Sequence, residues 1–159
     1  MRIVVGISDM KVSNTPGDTL ITYSLGSCIG LVVWDPEARV GGLLHYMLPD
    51  SNLDRDKALS KPFMFADTGI PLLFKEAYRL GATKQRMVIK VVGGSQIMDS
   101  DGVFNIGKRN YMILRKMFLK NKVMINNEDV GGVVNRTISL EVGTGLTRLK
   151  VSGKGEFDL

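Results

Sequence analysis

Short apolar runs separated by turn residues dominate the first third of the chain. Val4–Ile7 and Thr19–Ser24 are predicted strands, divided by the turn signal Asn14-Thr15-Pro16-Gly17-Asp18. Two further runs, Cys28–Trp34 and Val40–Leu48, flank Asp35-Pro36-Glu37-Ala38. Asp at the first and Pro at the second position suit a type I turn, so these runs form an antiparallel hairpin. The polar stretch Asp50–Lys61 reads as an exposed loop. A helix is then expected from Asp67 or Thr68 to Leu80, with Gly81 ending it. Pro71 should lie in its first turn, which puts the start of regular helix near Gly69.

Arg86–Val92 is a strand of buried character, broken by the loop Gly93-Gly94-Ser95. In the second helix, Gly107–Lys120, Met112, Leu114, Met117 and Phe118 supply an apolar face that Leu119 widens. Val123–Ile125 reads as a short strand and Asp129-Val130-Gly131-Gly132 as a turn. A last hairpin pairs Thr137–Val142 with Leu146–Val151 across Gly143-Thr144-Gly145. Mostly antiparallel strands with two main helices over a sheet face indicate an α+β fold or a layered α/β sandwich. No repeat or linker interrupts the pattern, so a single domain covering residues 1–159 is expected.

Composition narrows the classes. The 159 residues are 44% hydrophobic and 23% charged, as in ordinary globular domains. The longest apolar run falls far short of the ~20 residues of a spanning helix, and no small-residue cleavage site follows Met1–Ile7. Neither a membrane segment nor a signal peptide is expected. A lone cysteine, Cys28, cannot form an internal disulfide, which favours a reducing cytoplasm. The net charge of +5 attracts acidic partners. The basic residues are scattered, however, and the small cluster Lys116, Lys120 and Lys122 reads as a solvated helix C-terminus. Without a basic stripe interleaved with aromatics, nucleic-acid binding is not expected. One His, one Cys and scattered carboxylates lack zinc-ligand spacing, and Gly93-Gly94-Ser95 lacks the lysine of a phosphate loop, so neither a metal nor a cofactor is expected.

The lone cysteine and lone histidine are the chemically interesting pair. Taken singly, each is more often structural than catalytic. The hairpin alters those odds. If Pro36-Glu37 is a two-residue loop, Cys28 lies directly opposite His45, with Cβ atoms ~5 Å apart. If the loop is Pro36–Arg39, His45 faces Gly30, which shares a face with Cys28, and the side chains converge diagonally. Either register permits a thiolate–imidazolium couple, which would lower the thiol pKa. The small residues of Leu25-Gly26-Ser27-Cys28 allow close approach of a substrate, and the amides of Ser27 and Cys28 are candidates to stabilise an oxyanion. A third group should orient the imidazole. Thr22 on the preceding strand is one candidate, and Asp50 beyond the His45 strand competes with it.

Gly26-Ser27-Cys28 followed by His45-Tyr46-Met47-Leu48-Pro49-Asp50 resembles the chemoreceptor glutamine deamidase family, CheD. The likeness continues in order through Lys61-Pro62, Ala66-Asp67, Gly93-Gly94-Ser95, Asn105–Asn110, Asp129–Gly132 and Arg136. Phe63-Met64-Phe65 departs from it, standing where a tyrosine is expected before Ala66-Asp67, as do Gly69 and Pro71 in the following helix. The resemblance implies a layered α/β sandwich and hydrolysis of glutamine side-chain amides to glutamate on chemotaxis receptors. It also implies catalytic Cys28, His45 and Thr22, a cytoplasmic protein, and the chemotaxis phosphatase CheC as a regulatory partner. Rival readings are a cysteine peptidase or amidase with another substrate, and a binding protein with a vestigial dyad.

Overall fold

The structure, a computed structural model, describes residues 1–97 and 105–159. Among the described residues ten strands form two five-stranded sheets. The first contains β1 (Arg2–Val4), β3 (Thr19–Leu25), β8 (Arg136–Glu141), β9 (Thr147–Val151) and β10 (Gly155–Asp158), in the order β1-β3-β8-β9-β10. The second contains β2 (Asp9–Ser13), β4 (Ile29–Asp35), β5 (Val40–Tyr46), β6 (Val88–Gly93) and β7 (Asn127–Val130), in the order β2-β5-β4-β6-β7. Six of the eight pairings are antiparallel; β1 with β3 and β6 with β7 run parallel. The expected layered, mainly antiparallel α+β architecture is therefore present.

Two apolar cores hold the layers. Leu20, Leu25, Val32, Leu43, Val92, Ile138, Leu140 and Leu149 pack between the sheets. The other face of the second sheet packs on two helices, α2 (Ala66–Arg79) and α3 (Ile106–Lys120), which contribute Ile70, Leu73, Phe74, Leu114 and Phe118. Both faces of the second sheet are covered, which explains why β4 and β5 read as continuous apolar runs instead of alternating ones.

Several expected boundaries shift. The run Val4–Ile7 is no single strand: β1 ends at Val4, and the chain turns a corner between the sheets. There the Asp9 carboxylate accepts the Gly6 N–H at 3.1 Å and Ser8 is left-handed at φ 58°. The expected loop Asp50–Lys61 contains a 3₁₀ turn at Ser51–Leu53 and the short helix α1 (Arg55–Ser60). Asp50 caps the first through the Asn52 N–H and Asp54 the second through the Lys57 N–H.

Helix α2 starts at Ala66, three residues before the expected Gly69, so Pro71 lies beyond the first turn. Its solvent-facing ring is tolerated there, at the loss of a hydrogen bond to the Asp67 carbonyl. Val123–Ile125 is not a strand; Val123 and Ile125 pack on the helix-side core while pairing begins at Asn127. Asp129 and Val130 belong to β7, and the turn follows at Gly132-Val133. β2 and β10 are not legible as strands, both being short, β2 mostly half-buried and β10 exposed throughout.

Candidate active site

The hairpin β4–β5 pairs Asp35 with Val40 and Gly30 with His45. The loop is thus the four-residue Pro36–Arg39, with Arg39 left-handed at φ 53°, and His45 is diagonal to Cys28. Cys28 lies one residue before β4 and packs against the inter-sheet core. His45 points the same way, toward the first sheet, and is fully buried.

Thr22, on β3, meets it from that sheet. The hydroxyl Oγ1 stands 2.7 Å from His45 Nδ1 and donates to the Val5 carbonyl at 2.7 Å. A hydroxyl has one hydrogen, and Thr22 gives it to Val5. Oγ1 therefore accepts the Nδ1–H, which fixes the tautomer and leaves Nε2 with its lone pair. Nε2 is buried and has no hydrogen-bond partner among the described residues. Nδ1 is held and Nε2 is available, as a general base requires.

The segment Leu25–Cys28 carries the chain from the first sheet to the second. Ser24 is left-handed (φ 58°), and the β3–β8 register shifts between Thr22 and Leu25, a bulge that bends the strand out of its sheet. Backbone donors then secure the crossing: Ser95 N–H donates to the Gly26 carbonyl and Gly94 N–H to the Cys28 carbonyl, both at 2.9 Å. No other residue among those described accepts the N–H of Ser27 or of Cys28, the two expected oxyanion donors; the Cys28 N–H faces its own Sγ. Arg136, nearly buried, supports the donor loop by bonding the Gly93 carbonyl (3.1 Å), Ser95 Oγ (3.0 Å) and Gly131 carbonyl (2.9 Å), with Asp129 at 2.7 Å as its ion pair.

The electrostatics depart from the expected ion couple. Burial pushes the Cys28 thiol up to about 11, against a smaller opposing effect of its own backbone N–H. Burial likewise lowers His45 to about 4. In the free protein both groups are neutral, and the thiol forms no hydrogen bond to Nε2. The activated thiolate expected from sequence is therefore not the resting state, because desolvation at the sandwich edge disfavours both charges.

Asp50 does not join the group; its carboxylate caps the 3₁₀ turn. Gly94, Ser95 and Arg136 enter the sequence reading as part of the family likeness without a role, and the Val5 carbonyl does not enter it. A buried arginine is a signal only once burial is known. Among the described residues no three His, Cys, Asp or Glu side chains come together as a metal site, and no helix is long and apolar enough to cross a membrane.

Comparison with known proteins relates the chain to one family. A family model described as CheD chemotactic sensory transduction matches residues 47–151. The chain is 58% identical over 151 residues, 95% of its length and 94% of the relative's, to a probable chemoreceptor glutamine deamidase CheD 1 of Syntrophus aciditrophicus (strain SB). It is 47% identical to the probable chemoreceptor glutamine deamidase CheD of Solibacter usitatus (strain Ellin6076), covering 96% of this chain and 90% of that one. Against the CheD 2 protein of Anaeromyxobacter dehalogenans (strain 2CP-C), also named a probable chemoreceptor glutamine deamidase, identity is 45% with 90% of each chain covered.

Proposed function

The chain belongs to the CheD family of chemotactic sensory transduction proteins, and from that premise we propose that it deamidates glutamine side chains of chemoreceptors through a thioester on Cys28. The observation that carries the catalytic part is the Thr22–His45 contact, which commits Nδ1 and leaves a buried, unpartnered Nε2 on the face shared with Cys28. The names of the relatives support the substrate.

Because both groups start neutral, attack and proton transfer occur together. As Cys28 Sγ bonds to the γ-carboxamide carbon, its proton passes to His45 Nε2. The amide oxygen takes up the electron pair as an oxyanion, held by the N–H groups of Ser27 and Cys28. When the oxyanion collapses, the C–N bond breaks and Nε2–H protonates the leaving nitrogen, releasing ammonia. Water then attacks the thioester, giving its proton to Nε2. The C–S bond breaks, the thiol recovers a proton, and glutamate remains.

The chain works as a single deamidase domain in the cytoplasm, where receptor signalling domains lie. Its positive charge favours docking on an acidic receptor surface, an attraction that salt weakens. The phosphatase CheC is the regulatory partner the family resemblance implies. Incubating a receptor cytoplasmic fragment with the protein and mapping glutamine-to-glutamate changes by mass spectrometry tests the reading. Wild-type protein should convert specific glutamines and Cys28→Ala none; backbone cleavage instead would indicate a peptidase, and equal conversion by both would remove Cys28 from the chemistry.

A further inference from the structure

Helix α3 reaches the nucleophile from the side opposite His45. Its first turn lies directly on the Gly94–Ser95 loop, so closely that a Cβ at Gly107 would overlap the Ser95 carbonyl oxygen. This approach brings Asn110, fully buried, under the crossing. Its Nδ2 donates to the Ser27 carbonyl at 3.0 Å and to the Met47 carbonyl at 2.8 Å. Met47 continues β5 beyond Tyr46, in the position that the β4–β5 register sets opposite Cys28. One amide thus ties together the two strand ends that carry Cys28 and His45. From β5 the Tyr46 hydroxyl donates to the Asn110 backbone carbonyl at 2.7 Å, locking this turn of the helix in place.

The geometry points to Asn110 as a positioning residue that aims the Cys28 amide at the oxyanion. The planarity of the peptide group sets the direction. In a trans peptide the carbonyl of Ser27 and the N–H of Cys28 point in opposite directions. Holding that carbonyl toward α3 turns the Cys28 N–H away from the helix, where it meets its own Sγ and no other residue among those described accepts it. With Ser95 N–H on the Gly26 carbonyl and Gly94 N–H on the Cys28 carbonyl, three consecutive carbonyls are pinned and the amides between them are left to act. Of the three anchors only Asn110 is a side chain, so it alone can be removed by substitution. The inference rests on the thioester reading above but not on which amide is the substrate.

Two reactions of Cys28 separate aiming from mere integrity. A small aldehyde adds reversibly to the thiol, and its carbonyl oxygen goes where the oxyanion would. Iodoacetamide alkylates the same sulfur by displacing iodide and develops no oxyanion. In Asn110→Ala the aldehyde adduct should dissociate at least tenfold more readily than in wild type, with the alkylation rate at pH 9 within about threefold. Deamidation of receptor fragment should lose kcat, with KM little changed. Asn110→Asp keeps the shape while replacing the donor with an acceptor, and serves if the alanine variant does not fold. Unchanged adduct stability, loss of both reactions in parallel, or a wild-type protein that forms no aldehyde adduct would each overturn the assignment. If the aldehyde pattern holds while wild type leaves receptor glutamines untouched, the substrate reading fails and the role of Asn110 stands.

Discussion

Thr22 does more than fill a strand position. Its single hydroxyl hydrogen goes to Val5, so its lone pair faces the imidazole and selects the Nδ1–H tautomer. Thr22→Val keeps the shape but removes both bonds, freeing the ring to adopt the wrong tautomer. Since a net hydrogen bond is worth ~1 kcal/mol and 1.4 kcal/mol is tenfold, kcat should fall roughly fivefold or more. Thr22→Ser should restore most of it. Steady-state assays of the two variants check this, and a valine variant at full activity would leave the imidazole without its orienter. Removing the base outright should be harsher: His45→Ala is expected to lose roughly 10²- to 10⁴-fold. The sequence offers Cys28 and His45 as the candidate pair, and Thr22 beside Asp50 as the candidate orienter. It does not offer the neutral resting state, because that depends on how deeply the sandwich edge buries the pair, and residue identity carries no burial.

At the scale of elements, the site exists because the chain changes sheets twice beside it. The β1–β2 corner supplies the Val5 carbonyl, and the β3–β4 crossing supplies the nucleophile. The hairpin, both main helices and the last hairpin were readable from periodicity and turn residues. The crossings were not, since Val4–Ile7 looks like one strand and nothing in Ser24 announces a left-handed residue. The two registers left open by Asp35–Ala38 also needed coordinates, because Arg39 takes an αL conformation that its side chain does not advertise. Gly93 shows how tightly the elements meet. At φ 110° a Cβ there would overlap the Cys28 carbonyl oxygen, so both backbone strain and collision oppose a side chain. Gly93→Ala should therefore lower stability by roughly 1–3 kcal/mol and displace the Cys28 peptide, reducing activity even where the variant is fully folded. Denaturant melts set beside activity at a temperature well below unfolding separate the two effects.

The whole molecule registers the same burial as a dependence of stability on pH. His45 is held neutral, its pKa lowered from 6.5 to about 4 by desolvation. Below pH 6.5 the unfolded chain takes up a proton that the folded protein refuses. Stability is therefore fully present above 6.5 and drains as pH falls toward 4, by ~3 kcal/mol in all. Asp35 continues the loss further down. Burial raises this carboxyl, but Arg86 and the N–H groups of Ala38, Thr83 and Glu37 outweigh it and hold the group at about 2, below its usual 3.8. Its contribution is present above 3.8 and disappears as pH falls through 2. At the alkaline end Cys28 acts in the opposite sense: its raised pKa stabilises the fold below 9.0 and ceases to do so as pH climbs through about 11. Melting temperature plotted against pH should accordingly decline below 6.5 in wild type. A His45→Gln variant, which has nothing to titrate there, should show a flatter profile between 6.5 and 4 while retaining the later fall due to Asp35. If the two profiles run parallel across that window, the proton refused by the fold is not His45's, and the neutral imidazole from which the proton-transfer sequence begins would have to be abandoned.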